Sequence, residues 1–159
     1  MAMTTGRLEA ICITSNAADG MLSVTSAEAI AGEGLATDRY AEGRGAFQKG
    51  DVIKDDEQIT LIEQEAIEGA SREYDLNITH SDTRRNLLTS SISVNHLVGK
   101  DFYVGEVLIR GHRLCEPCGY LEKHTYEGIE KALIHRGGLR AEILEGGTIS
   151  VGDTIRGKD

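Results

Sequence analysis

Two thiols stand three positions apart in Arg113-Leu114-Cys115-Glu116-Pro117-Cys118-Gly119, a stretch that also holds the chain's one proline. Four kinds of chemistry are open to such a pair. A structural zinc site wants four Cys or His ligands, usually as two knuckles. No second C-x-x-C exists, and His112 and His124, which flank the motif, fit no finger spacing. A dithiol redox couple favours proline just before the second cysteine, but such couples open a helix after an early strand of a βαβ unit. This motif comes late, behind a run of strand candidates. A single thiolate could instead bind a soft metal centre or carry a sulfur atom. Pro117 would freeze the backbone beside Cys118 and fix the direction of that sulfur. The fourth reading is packing at a strand end. Cys12, between two isoleucines, reads as an inert small hydrophobe.

A second constellation is Thr83-Arg84-Arg85-Asn86-Leu87. Two arginines and an amide offer many donors to a phosphate or a planar heterocycle. In an extended segment the arginines would point to opposite faces, and one of them would meet a given ligand. Asn95, in Val94-Asn95-His96-Leu97, could add a further amide. Arg39, beside Asp38, could reach an anion or form a local ion pair. His135 and Arg136 sit where a helix C-terminus attracts cations.

These residues need elements to hold them. Leu8 to Ser15 is apolar and β-branched and reads as a strand. Ala27 to Gly50 is rich in Gly, Ala and charge and reads as a long functional loop. From Ile59 to Tyr74 the spacing of Ile62, Ala66, Ile67 and Ala70 predicts an amphipathic helix, with Ile59 to Leu61 as a short strand before it. Ser93-Val94, Phe102 to Val104 and Val107 to Arg110 are short strand candidates. Thr125 to Arg136 predicts a helix with Thr125 as its N-cap and Gly137-Gly138 as its terminator. Leu139 to Leu144 and Thr148 to Ile155 predict strands joined as a hairpin at Glu145-Gly146-Gly147. Val104-Gly105-Glu106-Val107 is echoed by Val151-Gly152-Asp153-Thr154, as barrel corners would be. Short strands, few helices and 19 glycines predict one mostly β, barrel-like domain with peripheral helices over residues 1–159, an α+β fold.

Composition excludes some functions. A 159-residue chain buries roughly 68–70% of the surface it would otherwise expose, so it folds without disulfide staples. A net charge of −9 argues against a nucleic-acid backbone binder, and 4% aromatics without Trp leave little for base stacking. No apolar run nears the ~20 residues of a membrane span, and no signal peptide is evident. The expectation is a cytoplasmic protein with reduced thiols, without nucleic-acid or membrane partners.

Seven phrases in order, spanning about residues 7–156, resemble the MOSC family, the domain found at the C-terminus of molybdenum cofactor sulfurases. They are T-D-R-Y from Thr37, I-T-L-I-E-Q-E-A-I-E from Ile59, R-R-N-L from Arg84, N-H-L-V-G-K-D-F-Y-V-G-E from Asn95, R-L-C-E-P-C from Arg113, R-G-G-L-R-A from Arg136 and G-G-T-I-S-V-G-D from Gly146. The chain is similar to a small stand-alone bacterial member with no cysteine desulfurase domain attached. The resemblance implies a β-barrel. It also implies a hallmark cysteine at Cys118, with Cys115 as companion, making these the candidate catalytic residues. In members that bind molybdenum cofactor (molybdopterin), that cysteine ligates the metal. This suggests Cys118 on molybdenum, Arg84, Arg85 and Asn86 around the cofactor, then Arg39 and Asn95. The activity implied is reduction of N-hydroxylated or similar oxygenated substrates, with an electron-donor protein as partner. The alternative is a sulfur carrier, with Cys118 taking a persulfide from a partner cysteine desulfurase that holds the pyridoxal phosphate. A binding protein without turnover is the third option. Thr37 stands where the family commonly has glycine, which removes the residue best suited to a left-handed turn.

Overall fold

The computed structural model describes residues 5–17, 19–50 and 52–158. Strands β1 (Thr5–Ile13), β5 (Ile59–Glu63), β6 (Leu87–Ser90), β7 (Asp101–Val104), β8 (Val107–Leu114), β9 (Leu139–Glu145) and β11 (Thr154–Gly157) pair in the cyclic order β11-β7-β8-β9-β5-β6-β1. The β1–β11 pairing, with Gly6 opposite Ile155, closes this sheet into a seven-stranded barrel. Every pair around it is antiparallel except β5–β6. Strand β2 (Leu22–Val24) extends the sheet from β1. Strands β3 (Ser26–Ile30), β4 (Gly34–Leu35) and β10 (Gly147–Ser150) form a separate three-stranded sheet.

Alternation fills the barrel. Leu8, Leu61, Leu87, Phe102, Ile109, Leu139, Ala141 and Ile155 are buried in one apolar cluster, as inward positions of period-2 strands should be. A second cluster lies outside the wall, where Ile62 of β5 meets α1 (Gln64–Glu73), α3 (Gly119–His124) and α4 (Ile129–Ala132) through Ile67, Leu121, Ile129 and Leu133. Strand β5 is therefore buried on both faces, which explains its unbroken apolar run.

Several expectations change here. Strand β5 continues to Glu63, so the helix starts only at Gln64, later than its apolar spacing suggested. The segment read as one helix from Thr125 to Arg136 is helical only over α4. Thr125 is the C-cap of α3 rather than an N-cap. Gly128, at φ 98°, takes the N-cap position of α4, and that helix ends at Ala132, well before Gly137-Gly138. Ser93-Val94 leads into a 3-10 turn over Val94–Leu97 rather than a strand. The loop expected from Ala27 to Gly50 contributes β3 and β4. No hairpin forms at Glu145-Gly146-Gly147, because β10 leaves β9 to pair with β3. The two echoing turns meet, as corners of one barrel: the Gly105 amide donates to the Thr154 carbonyl at 2.9 Å.

No helix among the described residues is long and apolar enough to cross a membrane.

Candidate functional site

Chain segments outside the barrel strands, together with Arg140 of β9, build an open cleft. Cys118, Arg39, Arg84, Arg85 and Arg140 line it, together with Tyr40, Phe47, Gln48, Tyr120 and Glu116. Two sequence constellations that lie far apart in the chain therefore converge.

Helix α2 (His80–Thr83) brings the arginine pair into place. A reciprocal capping box between Thr79 and Asp82 starts it, and Arg84 ends it in the left-handed conformation at φ 59°. The segment is thus not extended at Arg84, and the arginines do not divide between opposite faces as expected. Both line the cleft. The Arg84 guanidinium donates to the carbonyls of Asp19, at 2.6 Å, and Ala17. Burial lowers its pKa, and the nearby positive charge of Arg39 lowers it further. Arg85 donates to the carbonyls of Gly137 (2.7 Å), Thr83 (3.0 Å) and Cys115 (2.8 Å).

Arg39 is still more enclosed, at 4% exposure against 8% for Arg84 and Arg85. Its guanidinium pairs with Asp38 at 3.2 Å, donates to the Arg84 carbonyl at 2.8 Å and lies over the Tyr40 ring at 4.3 Å. Thr37 takes a left-handed backbone (φ 69°) despite its side chain, so the turn a glycine would favour is made without one. Asp38 holds that turn by accepting from the Thr14 and Tyr40 amides.

The cysteine loop separates its two thiols. Cys115 is 1% exposed, off the cleft, its amide donating to the Gly138 carbonyl at 2.7 Å. Cys118 is half-buried, lines the cleft and forms the N-cap position of α3. Glu116 between them accepts from both the amide and the Nδ1 of His135, each at 2.7 Å. That tie locks the loop to the turn before β9. The turn packs so closely that a Cβ on Gly137 would stand 2.5 Å from the Cys115 carbonyl oxygen. Cys12 is buried on β1 with its sulfur 3.5 Å from His80 Nδ1, and burial pushes its thiol pKa up. Among the described residues no three His, Cys, Asp or Glu side chains converge as metal ligands. A four-ligand zinc centre around Cys115 and Cys118 therefore has no second pair of ligands there.

Two amides singled out in the sequence stand apart from the cleft. Asn86 is fully buried, its Oδ1 accepting from the Thr60 amide and hydroxyl and its Nδ2 donating to the Cys12 carbonyl. Asn95 donates to the His135 carbonyl at 2.9 Å.

The sequence reading missed Arg140 and the aromatic rim. Arg140 alternates with the buried Leu139 and Ala141 of β9, so it points outwards, beneath the Tyr40 loop. Period-2 alternation marked it as outward-facing, but nothing local told it from an ordinary surface arginine. Burial works against its charge, yet Cys115, Tyr40 and Asp56 outweigh that and raise its pKa. Phe47 stands edge-on to Tyr120 with centroids 5.9 Å apart, and Tyr120 lies 4.3 Å from the His124 ring.

The sequence model of the MOSC domain matches residues 48–156, more than half of the chain and all of the cysteine loop. The chain belongs to the MOSC family. This MOSC domain shares its fold with the YuaD protein from Bacillus subtilis, at a TM-score of 0.79 and 12% identity over 99% of both chains. YiiM from Geobacillus stearothermophilus superposes at a TM-score of 0.71 and 15% identity, covering 97% of this chain and 75% of that one. YiiM from Escherichia coli gives 0.65 and 18%, covering 96% and 70%. No curated protein matches the chain. At these identities the likenesses establish the barrel, and the function must be argued from the cleft.

Proposed function

We propose that this MOSC domain binds molybdenum cofactor in the cleft, with Cys118 as the thiolate ligand of the metal. The family's association with that cofactor is the starting point, and one observation carries the reading. Of the three cysteines, Cys118 alone lines the cleft, and it does so among four arginines. The cleft fits an anionic, soft-metal group in two respects. It offers a half-exposed sulfur held beside a proline, and it contains a buried guanidinium nitrogen, Nε of Arg140, without a hydrogen-bond partner among the described residues. When bound, the cofactor would supply a metal able to remove an oxygen atom from N-hydroxylated or similar substrates, with electrons from a donor protein.

The chain's own residues then divide the work. Cys118 would hold the metal. Arg84, Arg85 and Arg39 keep the cleft electropositive in a protein of net charge −9, favouring an anion there. Phe47 and Tyr120 present flat apolar surface at the cleft wall and limit water. Protein purified from a host that makes the cofactor should carry near-stoichiometric molybdenum, and Cys118→Ala should lose it. Metal-free wild-type protein from such a host would overturn the reading.

The partial exposure of Cys118 favours a second reading, the sulfur carrier. Its thiolate would attack the outer sulfur of a persulfide on a partner cysteine desulfurase, which holds the pyridoxal phosphate. The partner's S–S bond would break, its cysteine would leave as thiolate, and Cys118 would hold the sulfur as a persulfide. Mass spectrometry after incubation with desulfurase and cysteine should then find one added sulfur on Cys118. An unmodified but alkylatable Cys118 counts against it.

A further inference from the structure

Four arginines line the cleft, but they are not equivalent. The guanidinium groups of Arg39, Arg84 and Arg85 are each held by the protein itself, through Asp38 and the Arg84 carbonyl, through the Ala17 and Asp19 carbonyls, and through the Thr83, Cys115 and Gly137 carbonyls. A guanidinium held in this way is a scaffold, and turning it to a ligand would strand the buried acceptors it now satisfies. Arg140 differs. Its Nε is buried and has no hydrogen-bond partner among the described residues. A buried charged donor without a partner is costly and calls for a specific explanation.

Its surroundings supply one. Arg140 sits opposite Thr60 on β5 and Arg113 on β8, near the start of β9. Arg113 is drawn away to the surface by Asp56, at 2.8 Å. Arg140 therefore stays in the wall of the cleft that Cys118 and the Phe47–Tyr120 pair also line. We infer that Arg140 is the oxyanion-binding residue of the cleft, taking the phosphate or carboxylate end of a ligand whose reactive end lies at Cys118, while Arg39, Arg84 and Arg85 shape the site without binding it. A planar fork of N–H donors meets two oxygens of such a group at once.

This rests on the reading of the cleft as a ligand site but not on the metal, so it can be tested on metal-free protein. Cys118 is alkylated with neutral iodoacetamide or anionic iodoacetate, and the adduct is counted by mass spectrometry. In the wild type iodoacetate should be favoured relative to free cysteine, and millimolar inorganic phosphate should slow alkylation at Cys118. In Arg140→Gln the iodoacetate preference and the phosphate protection should each fall about tenfold. Arg140→Lys, which keeps the charge, should retain most of the preference, and Arg110→Gln, a surface change, should alter neither. Protection by phosphate but not by acetate would identify a phosphate ester as the ligand class, and protection by both an oxyanion in general. If folded Arg140→Gln keeps the wild-type preference and protection, the assignment is wrong. Absence of molybdenum in the wild type would remove the proposed cofactor and leave this result standing.

Discussion

The Nη2 of Arg85 donates to the main-chain carbonyl of Cys115 at 2.8 Å, joining the two segments that most suggested chemistry in the sequence. The same guanidinium also ties down Gly137 and Thr83, so one buried cation fixes the cysteine loop, the turn before β9 and the end of α2. The tie at Cys115 also fixes the backbone three residues before Cys118, which lines the cleft.

Arg85→Lys should therefore act on stability and on thiol exposure together. A lysine ammonium cannot span three diverging carbonyls from one position. We expect a loss of about 2–4 kcal/mol in urea unfolding. Cys115, silent in the wild type, should become reactive to alkylation under native conditions. Unchanged Cys115 reactivity would mean that the loop is held without Arg85.

Gly137→Ala tests the same junction from the other side. The added Cβ would press on the Cys115 carbonyl oxygen and on Pro117 Cδ, at 2.5 and 2.9 Å. Backbone cannot rotate away as a side chain tip can, so the loop must shift. The expected cost is about 2–3 kcal/mol, with a changed alkylation rate at Cys118. Wild-type values for both would show the packing to be slack.

The three thiols should react in a fixed order. Cys118 is partly open, whereas Cys115 and Cys12 are buried at 1% and 4% exposure. Iodoacetamide should modify Cys118 at least about 100-fold faster than the others, which become available only on opening of the structure. Peptide mapping along a time course measures this directly.

His80 should make folding pH-dependent. Burial pushes its pKa down to about 4 from 6.5, only partly offset by a main-chain hydrogen bond involving Arg85. The folded state thus resists protonation that the unfolded chain accepts. Stability from this group is complete above pH 6.5, falls as the pH drops towards 4, and levels off below that. The span amounts to about 3 kcal/mol. His80→Gln should flatten that part of the stability curve and leave the acid limb due to carboxylates. Equal slopes for variant and wild type between pH 6.5 and 4 would contradict it.

The sequence by itself determined the class of the fold and the family. Short alternating strands such as Asp101–Val104 and Leu139–Glu145 can bury one face only by closing into a barrel or sandwich. The ordered phrases around Arg113–Cys118 reached the MOSC family directly. Where apolar runs were buried on both faces, as at Ile59–Glu63, period was ambiguous and the helix was placed too early. Hairpin connectivity at Glu145–Gly147 was equally out of reach, because pairing of β10 with β3 rather than β9 is a choice between distant partners.

Tertiary structure alone decided what each candidate side chain is free to do. Arg84, Arg85 and Asn86 look like ligand donors in one dimension. Their guanidinium and amide groups are occupied by carbonyls and hydroxyls contributed from residues as distant as Ala17, Thr60 and Cys115. Arg140, unremarked within its strand, is the cleft arginine left with a buried nitrogen that has no partner among the described residues. A side chain's type is local, but whether its hydrogen bonds are already satisfied depends on every segment the fold brings against it.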